Sequence, residues 1–237
     1  MIQKRNARAL VIGGSRGIGA AIVRRLVTDG AHVTFTWSGS RERAEHIARE
    51  TGSTCVQVDA TDRERLLAVV REAGVLDVFV FNAGLLVAGD PLTLDPDDID
   101  RMIDVNVRAA YHASVEAARR MVDGGRIIVI GSGNGDRVPV PGLAAYAMTK
   151  SALQSMARGL ARDFGARRIT VNVIQPGPTD TDMNPADAPA AETIRSVMAI
   201  KEHASADDIA AYVSFLTRPE ARHITGAMQT IDGGYCA

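Results

Sequence analysis

Cysteine is scarce in this sequence: only Cys55 and Cys236 occur among 237 residues, and neither belongs to a CxxC or His-containing pattern. The two thiols therefore fit neither a disulfide framework nor a zinc site, and we expect no metal centre.

An excess of positive charge is also lacking, because 27 basic residues stand against 28 acidic ones and the formal net charge is −1. Without a basic field, nonspecific binding to nucleic acid is not expected.

Long hydrophobic runs are missing as well. No segment approaches the roughly 18 consecutive apolar residues that suggest a transmembrane helix. The apolar run that follows residues 1–8 ends at Gly13, which is too short for the hydrophobic region of a secretory signal. We therefore expect a cytoplasmic protein without a membrane anchor.

What the sequence does contain is a regular alternation of short apolar runs and longer segments with helical spacing. Continuously apolar strands that alternate with helices indicate a parallel sheet covered by helices on both faces. The predicted strands are 9–12, 32–36, 54–58, 77–81, 126–130, 169–174 and 228–231, and the main predicted helices are 18–29, 41–51, 62–73, 96–121, 143–164 and 206–216. No linker divides the chain, so residues 1–237 are interpreted as a single domain.

One segment departs from this alternation. Residues 179–191 are rich in Pro, Ala, Asp and Asn, and a short helical stretch follows at 192–200. The segment leaves the end of the sixth predicted strand, and ligands of open α/β sheets bind beyond the carboxyl ends of strands. We interpret residues 179–203 as a substrate lid, with an ordinary surface loop as the alternative.

A glycine-rich loop joins the first predicted strand to the first predicted helix. Its glycines allow a tight turn and a close approach of the backbone to a pyrophosphate, which the helix N-terminus then faces. Because strand, loop and helix occur in the required order, a dinucleotide site is favoured over a glycine turn without a ligand. The architecture is then a Rossmann-type, doubly wound parallel sheet of about seven strands in three α/β/α layers. The candidate cofactor-binding residues in the loop are Gly13, Ser15, Arg16, Gly17, Ile18 and Gly19.

The end of the second predicted strand indicates which nicotinamide cofactor is used. Sites for NAD usually place an Asp or Glu about 20 residues beyond the glycine loop, but residues 36–41 contain no acid. Arg16, Arg41 and Ser38 instead offer two cations and a hydroxyl, which suit a 2′-phosphate. We therefore predict NADP(H); the alternative for Arg41 is a solvated helix residue.

Further polar and small residues follow other strands and meet at the same edge of the predicted sheet. Asp59 can accept a hydrogen bond from an adenine amino group or cap the next helix, and Asn82 can bind the cofactor or form an Asx turn. The candidate cofactor-binding residues at these strand ends are Asp59, Ala60, Asn82, Ala83, Gly84, Pro176, Gly177, Thr179 and Thr181.

Tyr146 and Lys150 lie one turn apart on the predicted helix 143–164, and so share a face. A nearby ammonium group favours the phenolate and lowers the phenol pKa from its usual value near 10. Ser132, at the end of the fifth predicted strand, can hydrogen-bond a carbonyl or alcohol oxygen. The pair is therefore a candidate proton donor or acceptor; a surface helix explains the spacing equally well if it is considered alone.

Together these motifs resemble the short-chain dehydrogenases/reductases, over essentially the whole chain from Ala9 to the Asp-Gly-Gly at 232–234. The resemblance implies an oxidoreductase with the catalytic set Asn106, Ser132, Tyr146 and Lys150. Tyr146 would be the general acid/base and Ser132 would orient the substrate oxygen. Lys150 would lower the tyrosine pKa and bind the nicotinamide ribose, and Asn106 would hold a water in a proton relay. One departure is Ile12, where the family usually has threonine.

Less generic segments, at 13–25, 111–119, 134–137, 158–164 and 225–233, resemble one member of that family that binds cyclic-di-GMP. This implies a second hypothesis, a ligand-binding regulator on the same scaffold. The family also implies assembly into a tetramer or dimer through helices 96–121 and 143–164 and through the last strand. Alanine-rich faces of the two helices permit close packing, at Ala109, Ala110, Ala113, Ala117, Ala144 and Ala152. The substrate pocket is expected between residues 132–143 and 181–200, with Val138, Val140, Leu143 and Met183 as its apolar lining and Asn134 and Arg137 at its polar edges.

Overall fold

The computed structural model describes residues 6–189 and 191–237. The expectations for residues 1–5, and for Ala190 within the segment 179–203, lie outside the described residues. The strands are β1 (Arg8–Ile12), β2 (His32–Trp37), β3 (Thr54–Gln57), β4 (Leu76–Phe81), β5 (Met121–Ile130), β6 (Thr170–Pro176) and β7 (Met228–Ile231). The helices are α1 (Gly17–Thr28), α2 (Arg41–Thr51), α3 (Arg63–Glu72), α4 (Pro96–Ile103), α5 (Ala110–Arg120), α6 (Ala144–Phe164), α7 (Ala191–Ser196) and α8 (Ala206–Leu216).

The strands form one parallel sheet in the order β3-β2-β1-β4-β5-β6-β7. Strand order reverses between β1 and β4, which is where doubly wound sheets open a crevice for ligands. Apolar side chains of α3, α5 and α6 cover one face of the sheet, and those of α1, α2 and α8 cover the other. The prediction of a Rossmann-type three-layer fold is confirmed.

Short polar side chains begin several of these helices. Ser40, Asp62 and Asp95 accept hydrogen bonds from backbone amides in the first turns of α2, α3 and α4. Ser205 and Asp208 form a reciprocal capping box at the start of α8. These caps satisfy donors that the helix itself leaves free, and they fix where each helix leaves the edge of the sheet.

The segment predicted as one helix over 96–121 is interrupted. Between α4 and α5, residues Asp104–Ala109 form a π-helical turn. Asn106 in this turn is held by backbone groups of Leu85 and by the Thr149 hydroxyl. Single π turns within α-helices often occur at functional sites. The π turn and these hydrogen bonds therefore fix the position of the Asn106 side chain against Leu85 and Thr149.

Most other boundaries lie within about two residues of the predictions, and two differ by more. Strand β5 begins at Met121 instead of residue 126, because Met121 pairs with Leu76 before the register shifts. Helix α7 ends at Ser196 rather than at residue 200, because the chain turns away so that the Ile200 amide donates to the Gly233 carbonyl. Within residues 6–189 and 191–237, no helix is both long and apolar enough to cross a membrane.

The alanines that were expected to face a partner subunit lie mostly inside this one. Ala109, Ala110, Ala113 and Ala117 are buried in the core against the sheet. Ala144 and Ala152 of α6 are exposed. Small side chains on α5 therefore serve close packing of the helix on its own sheet.

Candidate active site

A cavity of about 820 Å³ opens at the carboxyl edge of the sheet. The loops after β1 to β6 line it on one side and the segment 179–203 on the other. Every predicted cofactor-binding residue lines this cavity except Gly19 and Arg41, and every predicted catalytic residue lines it except Asn106. The structure therefore brings together side chains from six separate strand ends, as the parallel topology requires.

The glycine loop is held closed by hydrogen bonds to its own backbone. The Asn82 side-chain amide donates to the Gly13 carbonyl at 2.6 Å, and the Gly14 amide donates to the Thr36 carbonyl at 2.8 Å. A Cβ on Gly19 would lie 2.0 Å from the Gly13 carbonyl oxygen. Gly19 therefore allows the loop to pack against helix α1, and does not itself line the cavity.

Within the described part of the chain, no side chain caps the first backbone amides of α1, so they can face an anion. Its N-cap residue, Arg16, makes no side-chain capping bond, and the first turn contains no acidic residue. Free amides and the positive end of the helix dipole favour a phosphate at such a position. The loop and helix therefore fit the pyrophosphate of a dinucleotide.

Thr36 offers a hydroxyl near the position where Ile12 departs from the family pattern. The Gly13 amide donates to Thr36 Oγ1 at 3.0 Å, and Thr36 is 2% exposed. The first glycine of the loop is thus fixed by a hydroxyl from the neighbouring strand β2. Sequence analysis missed this role, because the cross-strand contact is visible only once β1 and β2 are paired.

Substitution of Thr36 by valine is expected to lower the free energy of unfolding by about 1–2 kcal/mol, because it leaves the half-buried Gly13 amide without its acceptor at nearly constant volume. Urea unfolding measures the change. The matched control is Thr34→Val on the same strand, whose hydroxyl has no hydrogen-bond partner within the described part of the chain. Equal stability of the two variants would contradict the assignment.

The cations around the cavity differ from those predicted. The Arg41 guanidinium lies 5.9 Å from the centroid of the Trp37 ring and 3.7 Å from Glu45, and Arg41 does not line the cavity. Arg43, two residues later in α2, lines the cavity and donates to the carboxylate of Asp182. The prediction for Arg41 is therefore corrected, since its neighbours on β2 and α2 hold it outside.

Asp59 makes local and long-range contacts at the end of β3. It accepts hydrogen bonds from the Thr61 amide and hydroxyl, both at 2.9 Å, and lies 3.2 Å from Arg101. These groups, the Thr61 amide first, hold the pKa of Asp59 below its usual value. Asp59 thus stabilises the turn into α3 while it lines the cavity, and Arg101, which sequence analysis missed, lines it as well.

Tyr146 and Lys150 meet as predicted, but burial dominates their ionisation. Lys150 Nζ lies 5.7 Å from the centroid of the Tyr146 ring and donates to the Ile130 carbonyl at 3.2 Å. Burial lowers the pKa of Lys150 to about 8. Burial also raises the pKa of Tyr146, and a hydrogen bond with Ser132 offsets part of that rise. The predicted lowering of the tyrosine pKa is therefore wrong for the chain's own groups, because desolvation of the phenolate outweighs the lowering that the Ser132 hydrogen bond causes.

Asn106 lies behind the cavity wall. Its side chain accepts from the Leu85 amide at 2.8 Å and donates to the Leu85 carbonyl and Thr149 Oγ1, both at 2.9 Å. A Cβ built on Gly84 would lie 3.4 Å from Lys150 Nζ and 3.5 Å from Asn106 Oδ1. Asn106 therefore ties the loop after β4 to helix α6 close to the lysine.

The substrate side of the cavity is partly apolar. Val140, Leu143, Met183 and Asn134 line it as predicted. Val138 and Arg137 do not: Val138 is exposed, and Arg137 donates to the backbone carbonyls of residues 235 and 237. Tyr235, near the end of the chain, also lines the cavity, and no sequence motif indicated it.

A family model described as enoyl-(acyl carrier protein) reductase matches residues 12–236. The chain belongs to the short-chain dehydrogenase/reductase family. It is 59% identical over 228 residues to the cyclic-di-GMP-binding biofilm dispersal mediator protein of Escherichia coli (strain K12), covering 96% of both chains. It is 35% identical to versicolorin reductase 1 of Aspergillus parasiticus, covering 95% of both. The resemblance of the less generic segments is thus confirmed.

Solved structures of this short-chain dehydrogenase/reductase family match the fold closely. BdcA in complex with NADPH has a TM-score of 0.96 and 58% identity, over 98% of this chain and 95% of that one. A short chain dehydrogenase from Burkholderia cenocepacia J2315 in complex with NADP has a TM-score of 0.96 and 46% identity, over 100% of both. At these identities the likeness concerns the family as well as the fold.

Proposed function

We propose that the chain is an NADP(H)-dependent oxidoreductase that transfers a hydride between the nicotinamide and a carbonyl or alcohol substrate. The proposal rests mainly on one observation: Ser132, Tyr146 and Lys150 line the same cavity as the glycine loop. The NADPH and NADP complexes of similar structures support the choice of cofactor, and relatives such as versicolorin reductase 1 support a reductive activity.

The residues present fit NADP(H). The amides at the start of α1 suit the pyrophosphate, and Arg16 and Ser38, which line the same cavity, would bind the 2′-phosphate. Lys150 would hold the nicotinamide ribose, and the backbone from Pro176 to Thr181 would hold the nicotinamide end. When bound, the cofactor supplies or accepts the hydride.

Tyr146 would move the proton. Because burial raises its pKa, the phenol stays protonated at neutral pH and is ready to donate to a carbonyl oxygen. Negative charge then develops on the phenolate, where the buried ammonium of Lys150 stabilises it. Stabilisation that grows in the transition state accelerates the reaction, whereas equal stabilisation of the ground state would not.

The hydroxyl of Ser132 is available as a hydrogen-bond donor. The Asn134 amide donates to Ser132 Oγ at 3.2 Å, so one lone pair of the hydroxyl is occupied. Its hydrogen is then directed to the substrate oxygen or to the phenol of Tyr146. The serine can in this way hold the carbonyl oxygen within reach of the proton donor.

A panel of aldehydes and ketones, assayed separately with NADPH and NADH, tests the proposal. We expect turnover of at least one carbonyl compound, with kcat/KM at least about tenfold higher for NADPH, as charge-assisted bonds to a 2′-phosphate imply. Aromatic and aliphatic members of the panel probe the partly apolar wall formed by Val140, Leu143 and Met183. The proposed activity would be refuted if no member of the panel were turned over and the protein also failed to bind NADPH.

A second candidate function is binding of cyclic-di-GMP as a regulator. The observation that favours it is the 59% identity to the cyclic-di-GMP-binding biofilm dispersal mediator protein. Calorimetry with cyclic-di-GMP, with and without NADPH, is expected to give saturable heat at micromolar ligand. A Tyr146→Phe variant should bind equally well, because this role needs no proton transfer. No heat at high micromolar concentration would contradict it.

The segment 179–203 is proposed as a lid over this cavity, to which it contributes Thr181, Met183 and Ile194. Residues 1–237 are proposed to act as one domain, since a single sheet spans the chain from β1 to β7.

We also propose a dimer or tetramer formed through α5 and α6, which expose the large side chains of Tyr111 and Met148.

A further inference from the structure

One ion pair spans the cavity between the cofactor side and the lid. Arg43 lies in the first turn of α2, and Asp182 lies in the segment 179–203, 139 residues away along the chain. Both side chains line the cavity, and they are 55% and 48% exposed. The guanidinium of Arg43 donates to the carboxylate of Asp182. This contact connects helix α2 directly to the lid.

Arg43 lines the cavity, whereas Arg41 in the same turn of α2 does not. Ser40 caps α2 by accepting from the Arg43 amide at 3.4 Å, which starts the helix at the end of the β2 loop. Arg41 packs near Trp37 and Glu45. Arg43 therefore shares the cavity with Ser38, Gly39 and Ser40, in the loop that carries the predicted 2′-phosphate site.

We infer that Arg43 is a cofactor-specificity residue and that Asp182 is its competing partner on the lid. The inference rests on the proposed use of NADP(H). When NADP(H) binds, its 2′-phosphate replaces Asp182 as the hydrogen-bond acceptor of the Arg43 guanidinium. Because Asp182 belongs to the lid, recognition of the phosphate is coupled to the position of the lid. NAD(H) lacks the phosphate and leaves the Arg43–Asp182 pair in place.

Replacement of the Asp182 carboxylate by the 2′-phosphate at the Arg43 guanidinium is favourable on electrostatic grounds. A pair this exposed contributes little to stability, whereas a phosphate carries more negative charge than a carboxylate and accepts bidentate bonds from arginine. Asp182 also lies against the same guanidinium, so a phosphate bound there repels it. Asp182 therefore opposes binding of the phosphorylated cofactor, and Arg43 favours it.

The test is fluorescence titration of the full chain with NADPH and with NADH, for the wild type, Arg43→Gln, Asp182→Asn and the double variant. We expect Arg43→Gln to weaken NADPH binding by about 10- to 100-fold and to leave NADH binding within about twofold. Asp182→Asn should tighten NADPH binding by about two- to fivefold without affecting NADH. In the Arg43→Gln background the Asp182→Asn effect should shrink, because the two residues act through one contact.

Arg41→Gln is the matched control, since Arg41 lies in the same turn of α2 but outside the cavity; it should change neither affinity. Hydrogen exchange of residues 179–203 gives a second measurement. It should differ between saturating NADPH and saturating NADH in the wild type, and the difference should diminish in Asp182→Asn.

Unchanged NADPH affinity in Arg43→Gln would overturn the inference, and so would an equal loss of NADPH and NADH binding, which would indicate a purely structural role. An Asp182→Asn variant that weakens NADPH binding would overturn the competition between lid and phosphate. Failure of the wild type to bind NADPH would instead refute the proposed function on which the inference rests.

Discussion

Replacement of Tyr146 by phenylalanine is expected to lower kcat by about 10²- to 10⁴-fold, the contribution typical of a positioned general acid or base. Only the hydroxyl is removed, so the ring keeps its place above Lys150, 5.7 Å from Nζ. The affinity for NADPH should stay within about threefold, because the substitution removes a transition-state interaction and little ground-state binding. Both quantities can be measured on one preparation, by steady-state turnover and by fluorescence titration.

The control for this variant is Tyr235→Phe, which removes the other phenol that lines the cavity. If proton transfer belongs to Tyr146 alone, Tyr235→Phe should affect KM more than kcat. Equal turnover in Tyr146→Phe and the wild type would remove Tyr146 from the chemistry. A loss of NADPH binding as large as the loss of kcat would instead indicate that the tyrosine mainly shapes the cofactor site.

The sheet and the edge that carries the cavity could be predicted because their signals are local. Strand β6, for example, is buried along its whole length, and a continuously apolar run encodes that burial directly. The glycine loop lies between a strand and a helix in the sequence itself. Parallel topology then brings the strand ends together, which is why Ser132, Asn82 and Thr181 could be placed at one edge before any contact was known.

The features that escaped prediction depend on contacts between distant parts of the chain. Arg41 and Arg43 occupy the same helical turn, but Arg41 contacts Trp37 and Glu45 whereas Arg43 contacts the distant Asp182 and lines the cavity. The π turn around Asn106 depends in the same way on Leu85 and Thr149. Helical spacing identifies such residues as neighbours of a site without specifying where their side chains point.

Burial explains why the tyrosine pKa was predicted in the wrong direction. The spacing of Tyr146 and Lys150 shows that a cation is near, which favours the phenolate. It does not show how much solvent both groups lose. Both are desolvated in the structure, and the loss of water raises the pKa of the phenol and lowers that of the ammonium.

The same burial leads to the second large effect: Lys150→Met is expected to abolish measurable activity and yet to stabilise the fold. Lys150 is 5% exposed, and the Ile130 carbonyl is its hydrogen-bond acceptor within the described residues. Its pKa is lowered from 10.5 to about 8, so the ammonium persists at neutral pH at a cost to stability. Methionine has a similar length and removes the charge, so the free energy of unfolding should rise by about 1–3 kcal/mol at pH 7.

The pH dependence of this gain has a definite sign. Because the folded-state pKa of Lys150 lies below its unfolded-state value, the penalty for the buried charge is complete below about pH 8. It then fades as the pH approaches 10.5, where the unfolded chain also loses the proton. The stability difference between Lys150→Met and the wild type should therefore be largest near neutral pH and should shrink above pH 8.

Urea unfolding at pH 7 and pH 9.5 measures this difference, and Lys201→Met is the matched control. Lys201 is exposed and, among the residues that the structure describes, donates only to the Ser196 carbonyl, so its substitution should change stability by less than about 0.5 kcal/mol at either pH. A destabilised Lys150→Met protein at both pH values would show that the bond to Ile130 outweighs the cost of burying the charge. A stabilised but inactive variant would mean that the chain keeps an unfavourable buried ammonium because the developing phenolate of Tyr146 requires a cation beside it.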